Sequence, residues 1–271
     1  MNIDPAVDLL ACPRCGAVLT RAEAALRCAS GHSYDLARQG YVNLFGGPEP
    51  ANADTPQMLA ARSRVHATGL FAPVAEEVRA RVAGRPRVLE AGAGTGYYLA
   101  AALGDDGRVG IALDVSKAAA RLAARLDPRI AAVVADVWRG LPVRDSCLDA
   151  VLCVFAPRNL REFARVLRPD GRLVVVTPRP EHLSGLRDRH GLLSVPEDKA
   201  GQLAVAASEF FEVQATTNLL WRRELDAAEA ADVIAMGPNA FHRLPDHVEA
   251  GPVSVAVTVQ TFAPLSSRVP R

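Results

Sequence analysis

The sequence predicts an α/β fold, a doubly wound seven-stranded sheet with helices on both faces, preceded by a small N-terminal module. Strand-like and helix-like segments alternate from residue 87 onward, which is typical of a mainly parallel sheet. The first of these strands runs into three closely spaced glycines, Gly92, Gly94 and Gly96, and a helix-forming segment follows at once. A cluster of three cysteines and a histidine within the first 32 residues marks the separate module.

Composition sets the broad class of the protein. A chain of 271 residues with 49% hydrophobic content is long enough for one large domain and an appendage. No apolar run approaches the ~20 residues of a membrane span, and the N-terminus lacks the basic start and apolar core of a signal peptide. We therefore expect a cytoplasmic protein, no membrane partner and reduced cysteines. The net charge of +1 does not by itself indicate nucleic-acid binding.

The cysteine spacing predicts a metal site. Cys12 and Cys15 are separated by two residues, and Cys28 and His32 form a second pair after a gap of twelve residues. Two such pairs can converge as a tetrahedral Cys3His set, which suits a closed, structural Zn²⁺ site. Two short hairpin strands are expected between the pairs, at 17–19 and 24–27. So small a module needs the metal because it contains few apolar residues.

The segment after His32 permits two interpretations. Tyr34 and Tyr41 either pack inside the module or, beside Arg38 and Asn43, stack and hydrogen-bond unpaired RNA bases. The Gly- and Pro-rich stretch 46–52 then reads as a linker. We expect a zinc-binding RNA-recognition module at 1–46, a linker with covering helices at 47–84, and the large domain at 85–271. Proline after Asp54 and Thr55 predicts a helix start there.

The glycine turn narrows the choice of ligand. A strand, a glycine turn and a helix N-terminus allow backbone to approach a nucleotide-like ligand closely. A dinucleotide fingerprint requires its third glycine where this chain has Tyr97, which argues against a nicotinamide dehydrogenase. Glu90, just before the turn, suits a ligand that carries a positively charged amino acid group. The pattern resembles the first motif of class I S-adenosylmethionine methyltransferases.

Carboxylates follow the next two predicted strands. Asp114 ends the strand at 109–113, about 20 residues after the glycines, where a carboxylate binds the hydroxyls of a ribose. Asp136 ends the third strand, at 130–135, and is expected to accept a hydrogen bond from the adenine amino group while Val137 packs on the ring. Further strands are predicted at 148–155, 173–177, 211–216 and 253–262, with the last one antiparallel. Helices are predicted from Ser116 and Lys117 to a stop at Asp127 and Pro128, at 160–167 and at 226–236, and a turn is predicted at 169–171.

Nearly the whole chain resembles one family. The resemblance rests on the zinc ligands and on these blocks: Tyr34 to Leu44, Asp54 to Arg62, Gly92 to Tyr98, Leu113 to Lys117, Ala135 to Trp138, Phe155 to Asn159, Thr177 to Leu183 and Ala235 to Pro238. These segments resemble the 23S rRNA guanine-N1 methyltransferases of the RlmA type, especially the branch that protects macrolide producers such as the tylosin maker. The resemblance implies S-adenosylmethionine-dependent methylation of a guanine in a 23S rRNA hairpin loop lining the peptide exit tunnel, with possible macrolide resistance and a homodimer.

The same resemblance implies specific site residues. By position, cofactor contacts fall on Phe71, Gly96, Tyr97 and His182, beside Glu90, Gly92, Gly94, Asp114, Asp136 and Val137. Guanine N1 carries a proton at neutral pH, so a base must accept it. Asp54 and His182 are both candidates for that base. Arg158 is a candidate for stabilising negative charge on guanine O6.

Two rival functions remain open from the sequence. One is a small-molecule methyltransferase that carries a structural zinc ribbon for oligomerisation. The paired tyrosines with Arg38 and Asn43 argue against it, because an oligomerisation ribbon does not need them. The other is a zinc-containing RNA-binding protein with a vestigial cofactor site, and the presence of Glu90, Asp114 and Asp136 argues against that.

Overall fold

A computed structural model describes residues 3–104, 107–241, 245 and 247–265. Within these residues the strands are β1 (Leu19–Ala22), β2 (Ala25–Cys28), β3 (Ser33–Asp35), β4 (Tyr41–Asn43), β5 (Arg87–Ala91), β6 (Val109–Asp114), β7 (Ile130–Val134), β8 (Leu148–Val154), β9 (Leu167–Pro178), β10 (Phe211–Leu225) and β11 (Gly251–Pro264). The helices are α1 (Pro56–Ala67), α2 (Ala72–Arg81), α3 (Tyr97–Leu103), α4 (Lys117–Leu126), α5 (Leu160–Val166), α6 (Ser184–His190), α7 (Lys199–Ala207) and α8 (Ala227–Ala235).

The large sheet confirms the predicted class. Its order is β10-β11-β9-β8-β5-β6-β7-β4. The strands from β5 to β9 pair in parallel, whereas β11 runs antiparallel to both β9 and β10. These are the seven strands expected, and β11 is the antiparallel one near the edge. The chain order changes direction beside β5, so ligands of such a sheet bind at the carboxyl end of this strand.

An eighth strand comes from the N-terminal segment. β4 pairs in parallel with β7, with Asn43 opposite Val134, and extends the sheet by one strand. Ahead of it, β1, β2 and β3 form a separate antiparallel sheet. The expected first hairpin strand therefore lies two residues later, at Leu19, and a third strand joins the hairpin. The N-terminal segment is thus hydrogen-bonded into the large domain's sheet.

Buried residues before the cysteine cluster strengthen this attachment. Ile3, Ala6 and Leu9 lie on or beside a short 3-10 helix (Asp4–Leu9) and are almost completely buried. They pack in the same apolar cluster as Leu113 and Val133 of the large sheet. The backbone also pairs across this junction, since Ala11 donates to the Pro142 carbonyl and Arg144 to the Leu9 carbonyl.

Helix starts follow the capping residues that the sequence contains. Thr55 accepts a hydrogen bond from the Met58 amide at 3.2 Å, and proline begins α1 directly after it. Ser116 caps α4 in the same manner, and Asp226 forms a capping box with Glu229 at α8. Each side-chain oxygen satisfies an amide that the first helical turn leaves unpaired. The predicted starts at these three positions are confirmed.

Two strands differ from expectation. β10 continues to Leu225, well beyond the predicted end at 216, and pairs with β11 over its whole length. The predicted turn at 169–171 lies inside β9, where the register against β8 shifts. Pairing between neighbouring strands therefore outweighs the turn preference of Pro169 to Gly171. No helix among the described residues is long and apolar enough to cross a membrane.

Candidate metal centre and active site

The structure brings the four predicted metal ligands together. The ligand atoms of Cys12, Cys15, Cys28 and His32 all lie within 4.8 Å of one another. His32 Nδ1 lies 3.4 Å from the sulfurs of both Cys12 and Cys28, and the Cys15 and Cys28 sulfurs are 3.7 Å apart. A tetrahedral zinc with bonds of about 2.0–2.3 Å requires ligand separations of about this size. The donor set therefore fits one structural Zn²⁺ and leaves no open position.

Two glycines shape the knuckles that carry these ligands. Gly16 and Gly31 have φ of 72° and 83°, a left-handed conformation that glycine adopts readily. Their amides donate to the carbonyls of Cys12 and Cys28 at 2.8 and 3.0 Å. The chain therefore reverses direction after Cys12 and again after Cys28. These two turns bring the ligand atoms of both pairs together.

The stacking interpretation of the two tyrosines is not supported. The Tyr34 hydroxyl lies 3.1 Å from the Cys12 sulfur, so this side chain contacts the metal centre. Tyr41 is buried in β4, and the Asn43 side chain accepts a hydrogen bond from the Phe45 amide. Only Arg38 of this group is exposed. The block therefore attaches the module to the sheet, and its tyrosines do not argue against an oligomerisation ribbon.

The three glycines of the turn face three different neighbours. A Cβ on Gly92 would lie 2.5 Å from the Ala156 Cβ, and one on Gly94 would lie 2.7 Å from an Arg62 nitrogen. A Cβ on Gly96 would meet Ala123 of α4 at 3.3 Å. All three have positive φ. Gly92 and Gly94 thus keep the turn close to the cleft, whereas Gly96 allows α3 to pack against α4.

Glu90 is a buried carboxyl group at the base of the turn. Its side chain is 1% exposed, and Oε2 accepts a hydrogen bond from the Leu99 amide at 2.9 Å. Burial raises the pKa of Glu90 to about 8, with Asp114 adding to the rise and Arg62 opposing it. A cation placed beside this group would stabilise its ionised form. The environment of Glu90 is therefore compatible with a positively charged ligand, and the assignment of Glu90 to the cofactor stays a prediction.

Asp114 is held in a fixed orientation at the end of β6. Its two oxygens accept hydrogen bonds from the amides of Gly94, at 2.8 Å, and Ser116, at 2.9 Å. Burial raises the pKa of Asp114, and these two hydrogen bonds oppose the rise. Each carboxylate oxygen has a second lone pair, so Asp114 can still accept from two hydroxyls. This arrangement suits a ribose diol.

Asp136 and Val137 form the neighbouring wall. One Asp136 oxygen caps the following 3-10 turn by accepting from the Trp138 amide at 2.9 Å, and the other lies 3.9 Å from the Arg139 guanidinium. Val137 is buried, and its carbonyl accepts a hydrogen bond from the Asn159 side chain. The Asp136 carboxylate thus already caps this turn. The expected hydrogen bond from adenine would have to use its remaining lone pairs.

Arg62 of α1 is a site residue that the sequence interpretation did not identify. Its guanidinium pairs with Asp54 at 2.5 Å and donates to the Met236 carbonyl at 2.7 Å, directly above Gly94. The Asp54 carbonyl in turn accepts from the Ser116 hydroxyl at 2.8 Å. Arg62 therefore connects α1, the end of α8 and the glycine turn. The spacing of Arg62 and His66 on one helical face was the available signal.

Aromatic rings line the other side of the cleft. His66 stacks on Tyr97 with centroids 4.1 Å apart, and burial lowers the pKa of His66 to about 3, assisted by nearby Arg62. Phe71 is fully buried, and its ring lies 6.2 Å from His182 and 6.0 Å from Phe155. The expected cofactor residues Phe71, Tyr97 and His182 are thus brought to one cleft, together with two aromatic residues not predicted for it.

His182 is a neutral ring that accepts a hydrogen bond in this structure. Burial lowers the pKa of His182 to about 4, and Arg187 contributes to the decrease. Its Nδ1 accepts from the Ala256 amide at 3.3 Å, so the ring proton resides on Nε2. Neither nitrogen is then free to accept a proton. Arg158, the other predicted reactive group, is half-buried and forms no ion pair with any described residue.

The chemistry of the cleft fits S-adenosylmethionine. The buried Glu90 is suited to its cationic amino acid part, and Asp114 retains acceptors for a ribose diol. Gly94 leaves no room for a side chain, so backbone forms the surface between them. The cysteine–histidine centre and this cleft together match both groups expected from the sequence.

Comparison with known proteins agrees with both sites. Residues 10–47 match the zinc-ribbon family model described as "RlmA, N-terminal", and residues 88–171 match the model described as "Methyltransferase domain". The YcgJ protein of Bacillus subtilis has a similar fold, with a TM-score of 0.50 at 17% identity, covering 70% of this chain and 97% of that one. Zinc-ribbon and methyltransferase elements therefore occur in one chain.

Two curated relatives match most of the sequence. A 23S rRNA (guanine(748)-N(1))-methyltransferase of Streptomyces fradiae is 44% identical over 249 residues, 89% of each chain. A putative 23S rRNA (guanine-N(1)-)-methyltransferase of Micromonospora griseorubida is also 44% identical, over 94% of each chain. Identity at this level over nearly the full length shows common family membership, and the chain belongs to the family of 23S rRNA (guanine-N1)-methyltransferases.

Proposed function

We propose that this protein transfers the methyl group of S-adenosylmethionine to N1 of one guanine in 23S rRNA. The observation that carries the proposal is the 44% identity to the Streptomyces fradiae enzyme over 89% of each chain. The cofactor supplies an electrophilic methyl group. The protein's contribution is to hold both reactants in line and to remove the N1 proton.

The cofactor is proposed to lie along the glycine turn. Glu90 binds the ammonium group, Gly92 and Gly94 admit the amino acid part, and Asp114 accepts from the ribose hydroxyls. Asp136 and Val137 contact the adenine. Phe71, Tyr97 and His182 form the opposite wall, and Gly96 positions the turn through its contact with α4.

The proton on guanine N1 is proposed to leave toward Asp54. Since His182 carries its proton on Nε2 and its Nδ1 is occupied, neither ring nitrogen is proposed as the base. Asp54 is the remaining candidate, and its ion pair with Arg62 holds its carboxylate at the cleft. Arg158 has no acidic partner among the described residues and is proposed to stabilise the charge on O6.

The finer statements follow from the same family. We propose that the guanine lies in a hairpin loop near the peptide exit tunnel, and that its methylation increases tolerance of macrolides. Residues 1–46, as a zinc-bound module, are proposed to recognise this RNA, with covering helices at 47–84 and the catalytic domain at 85–271. The enzyme is proposed to act in the cytoplasm as a homodimer.

The proposal is tested with labelled cofactor and unmodified 23S rRNA. Primer extension maps the product, because N1-methylguanine blocks Watson–Crick pairing and stops reverse transcriptase. A new stop at a single tunnel-loop guanine is the expected result. Absence of RNA labelling by protein that binds both zinc and S-adenosylmethionine would contradict the proposal and favour a small-molecule substrate.

A further inference from the structure

Phe155 has an unusual backbone conformation for a large aromatic residue. It directly follows β8, and its φ is 53°, in the left-handed region. Residues other than glycine and asparagine rarely adopt this conformation, because the Cβ atom of an L-residue crowds the backbone there. The Phe155 amide still donates to the Val176 carbonyl of the neighbouring strand at 3.2 Å. The surrounding structure therefore imposes this conformation at the position where the sheet meets the cleft.

The conformation leaves a phenyl ring partly open to the cleft. Phe155 is 41% exposed, whereas Val154 before it is buried. Its ring centroid lies 5.7 Å from His182, 6.0 Å from Phe71 and 6.4 Å from Tyr98. These three neighbours are themselves buried. Phe155 is thus supported by fixed rings on one side and accessible on the other.

The position of Phe155 relative to the cofactor site is also fixed. The next residue, Ala156, abuts Gly92 so closely that a Cβ on the glycine would lie 2.5 Å from the Ala156 Cβ. Leu183, beside His182, likewise has a positive φ, of 56°. Two residues with positive φ thus lie beside one cleft, Phe155 directly after β8 and Leu183 directly before α6. Strain of this kind persists where the surrounding structure over-determines the conformation, and it is concentrated at active sites and ligand-binding sites.

We propose that Phe155 is the stacking surface for the target base, with the purine plane lying against its exposed part. This inference rests on the proposed function and deepens it by naming the residue that orients the acceptor. Aromatic side chains bind unpaired bases by stacking against the face of the base. Stacking fixes the plane of the guanine, so N1 can be directed at the methyl group beside Gly92 and Gly94.

The test separates stacking from a structural role through four variants at one position. Phe155→Gly relieves the backbone strain, so its thermal stability is expected to equal or exceed that of the wild type. Its kcat/KM for 23S rRNA methylation is expected to fall on the order of 10- to 100-fold, with the S-adenosylmethionine Kd unchanged. Phe155→Leu keeps an apolar side chain without an aromatic plane, and its kcat/KM is expected to fall by a similar factor. Phe155→Tyr and Phe155→Trp are expected to restore most activity.

A matched control is Phe241→Ala, because Phe241 is a phenylalanine of similar exposure, 43%, that forms none of the ring contacts described for Phe155. It is expected to methylate at the wild-type rate. Full activity of Phe155→Leu, or a parallel loss of cofactor binding in Phe155→Gly, would overturn the stacking proposal. If the wild-type protein methylates no RNA, the proposed function itself fails, so the two failures are distinguishable.

Discussion

The cysteine–histidine centre and the glycine-turn cleft are built in opposite ways. All four ligands of the centre come from residues 12–32, and local turns bring them together. The cleft instead combines groups from distant parts of the chain. They include the side chains of Arg62 in α1 and Asp114 in β6, and the backbone carbonyl of Met236 after α8. The centre therefore depends on short-range sequence and the cleft on the folded sheet. Substitutions that affect one and spare the other test this difference.

The largest effect is expected from Cys28→Ser, which removes one zinc ligand. The free energy of unfolding should fall by several kcal/mol, because zinc binding to such sites is coupled to folding. The loss should extend into the large domain, since β4 pairs with β7. Zinc content by mass spectrometry and urea unfolding measure both effects. Cys147→Ala, at a buried cysteine outside the centre, should retain zinc. Retention of zinc by Cys28→Ser would refute the assigned ligand set.

The second prediction concerns a substitution that disrupts the cleft and leaves the zinc centre intact. In Gly94→Ala the new Cβ meets the Arg62 guanidinium at 2.7 Å, so the ion pair with Asp54 must shift. We expect S-adenosylmethionine affinity to fall about tenfold or more, which corresponds to about 1.4 kcal/mol, with zinc content unchanged. Isothermal titration calorimetry provides the Kd.

The matched control for this glycine is Gly84→Ala. Gly84 also has a positive φ, of 73°, but a Cβ there meets nothing within 4 Å. Both variants strain the backbone, and only Gly94→Ala clashes at the cleft. Equal affinities for the two variants would show that Gly94 has no special role in admitting the ligand.

The third prediction concerns the tyrosine beside the metal centre. Tyr34→Phe removes the hydroxyl that lies 3.1 Å from the Cys12 sulfur. Hydrogen bonds to metal ligands commonly contribute tenfold or more to metal affinity, so zinc affinity should fall about tenfold. Competition with a chromogenic chelator measures this change, and the Kd for S-adenosylmethionine is the internal control. An unchanged zinc affinity would mean that the hydroxyl does not support the centre.

The smallest expected effect is a pH dependence of S-adenosylmethionine affinity, which involves the cleft and not the zinc centre. Glu90 has a pKa of about 8 and is therefore mostly protonated at neutral pH in the free protein. A bound ammonium group favours its ionised form, so S-adenosylmethionine affinity should rise a few-fold between pH 6.5 and 7.5, below the limit of about tenfold per unit. Glu90→Gln should remove this rise. A rise that persists in the variant would assign the titration to another group.

The same carboxyl group predicts the opposite trend for stability without ligand. Its pKa lies near 4.5 when unfolded and about 8 when folded. Between these values the unfolded chain binds fewer protons, so the free energy of unfolding falls as pH rises. Glu90→Gln should show a weaker decrease, measurable by thermal unfolding at several pH values.

Much of the fold could be predicted because its signals are local. Thr55, Ser116 and Asp226 begin helices where the sequence predicts them. The length of β10 could not be predicted, because the strand continues beyond residue 216 through its pairing with β11, which is distant in the sequence. Similarly, the tyrosines of the N-terminal segment could not be assigned from composition, since burial of Tyr41 depends on β4 joining β7.

The sequence by itself determined the sheet class, the zinc ligands and the placement of Glu90, Asp114 and Asp136 at the ends of strands, because each depends on spacing within a short segment. Only the tertiary structure decided that Arg62 lies over Gly94, that His182 carries its proton on Nε2, and that Phe155 opens toward the cleft. These features depend on contacts between residues far apart in the chain. Such contacts form when strands and helices pack, and no short-range sequence pattern predicts them.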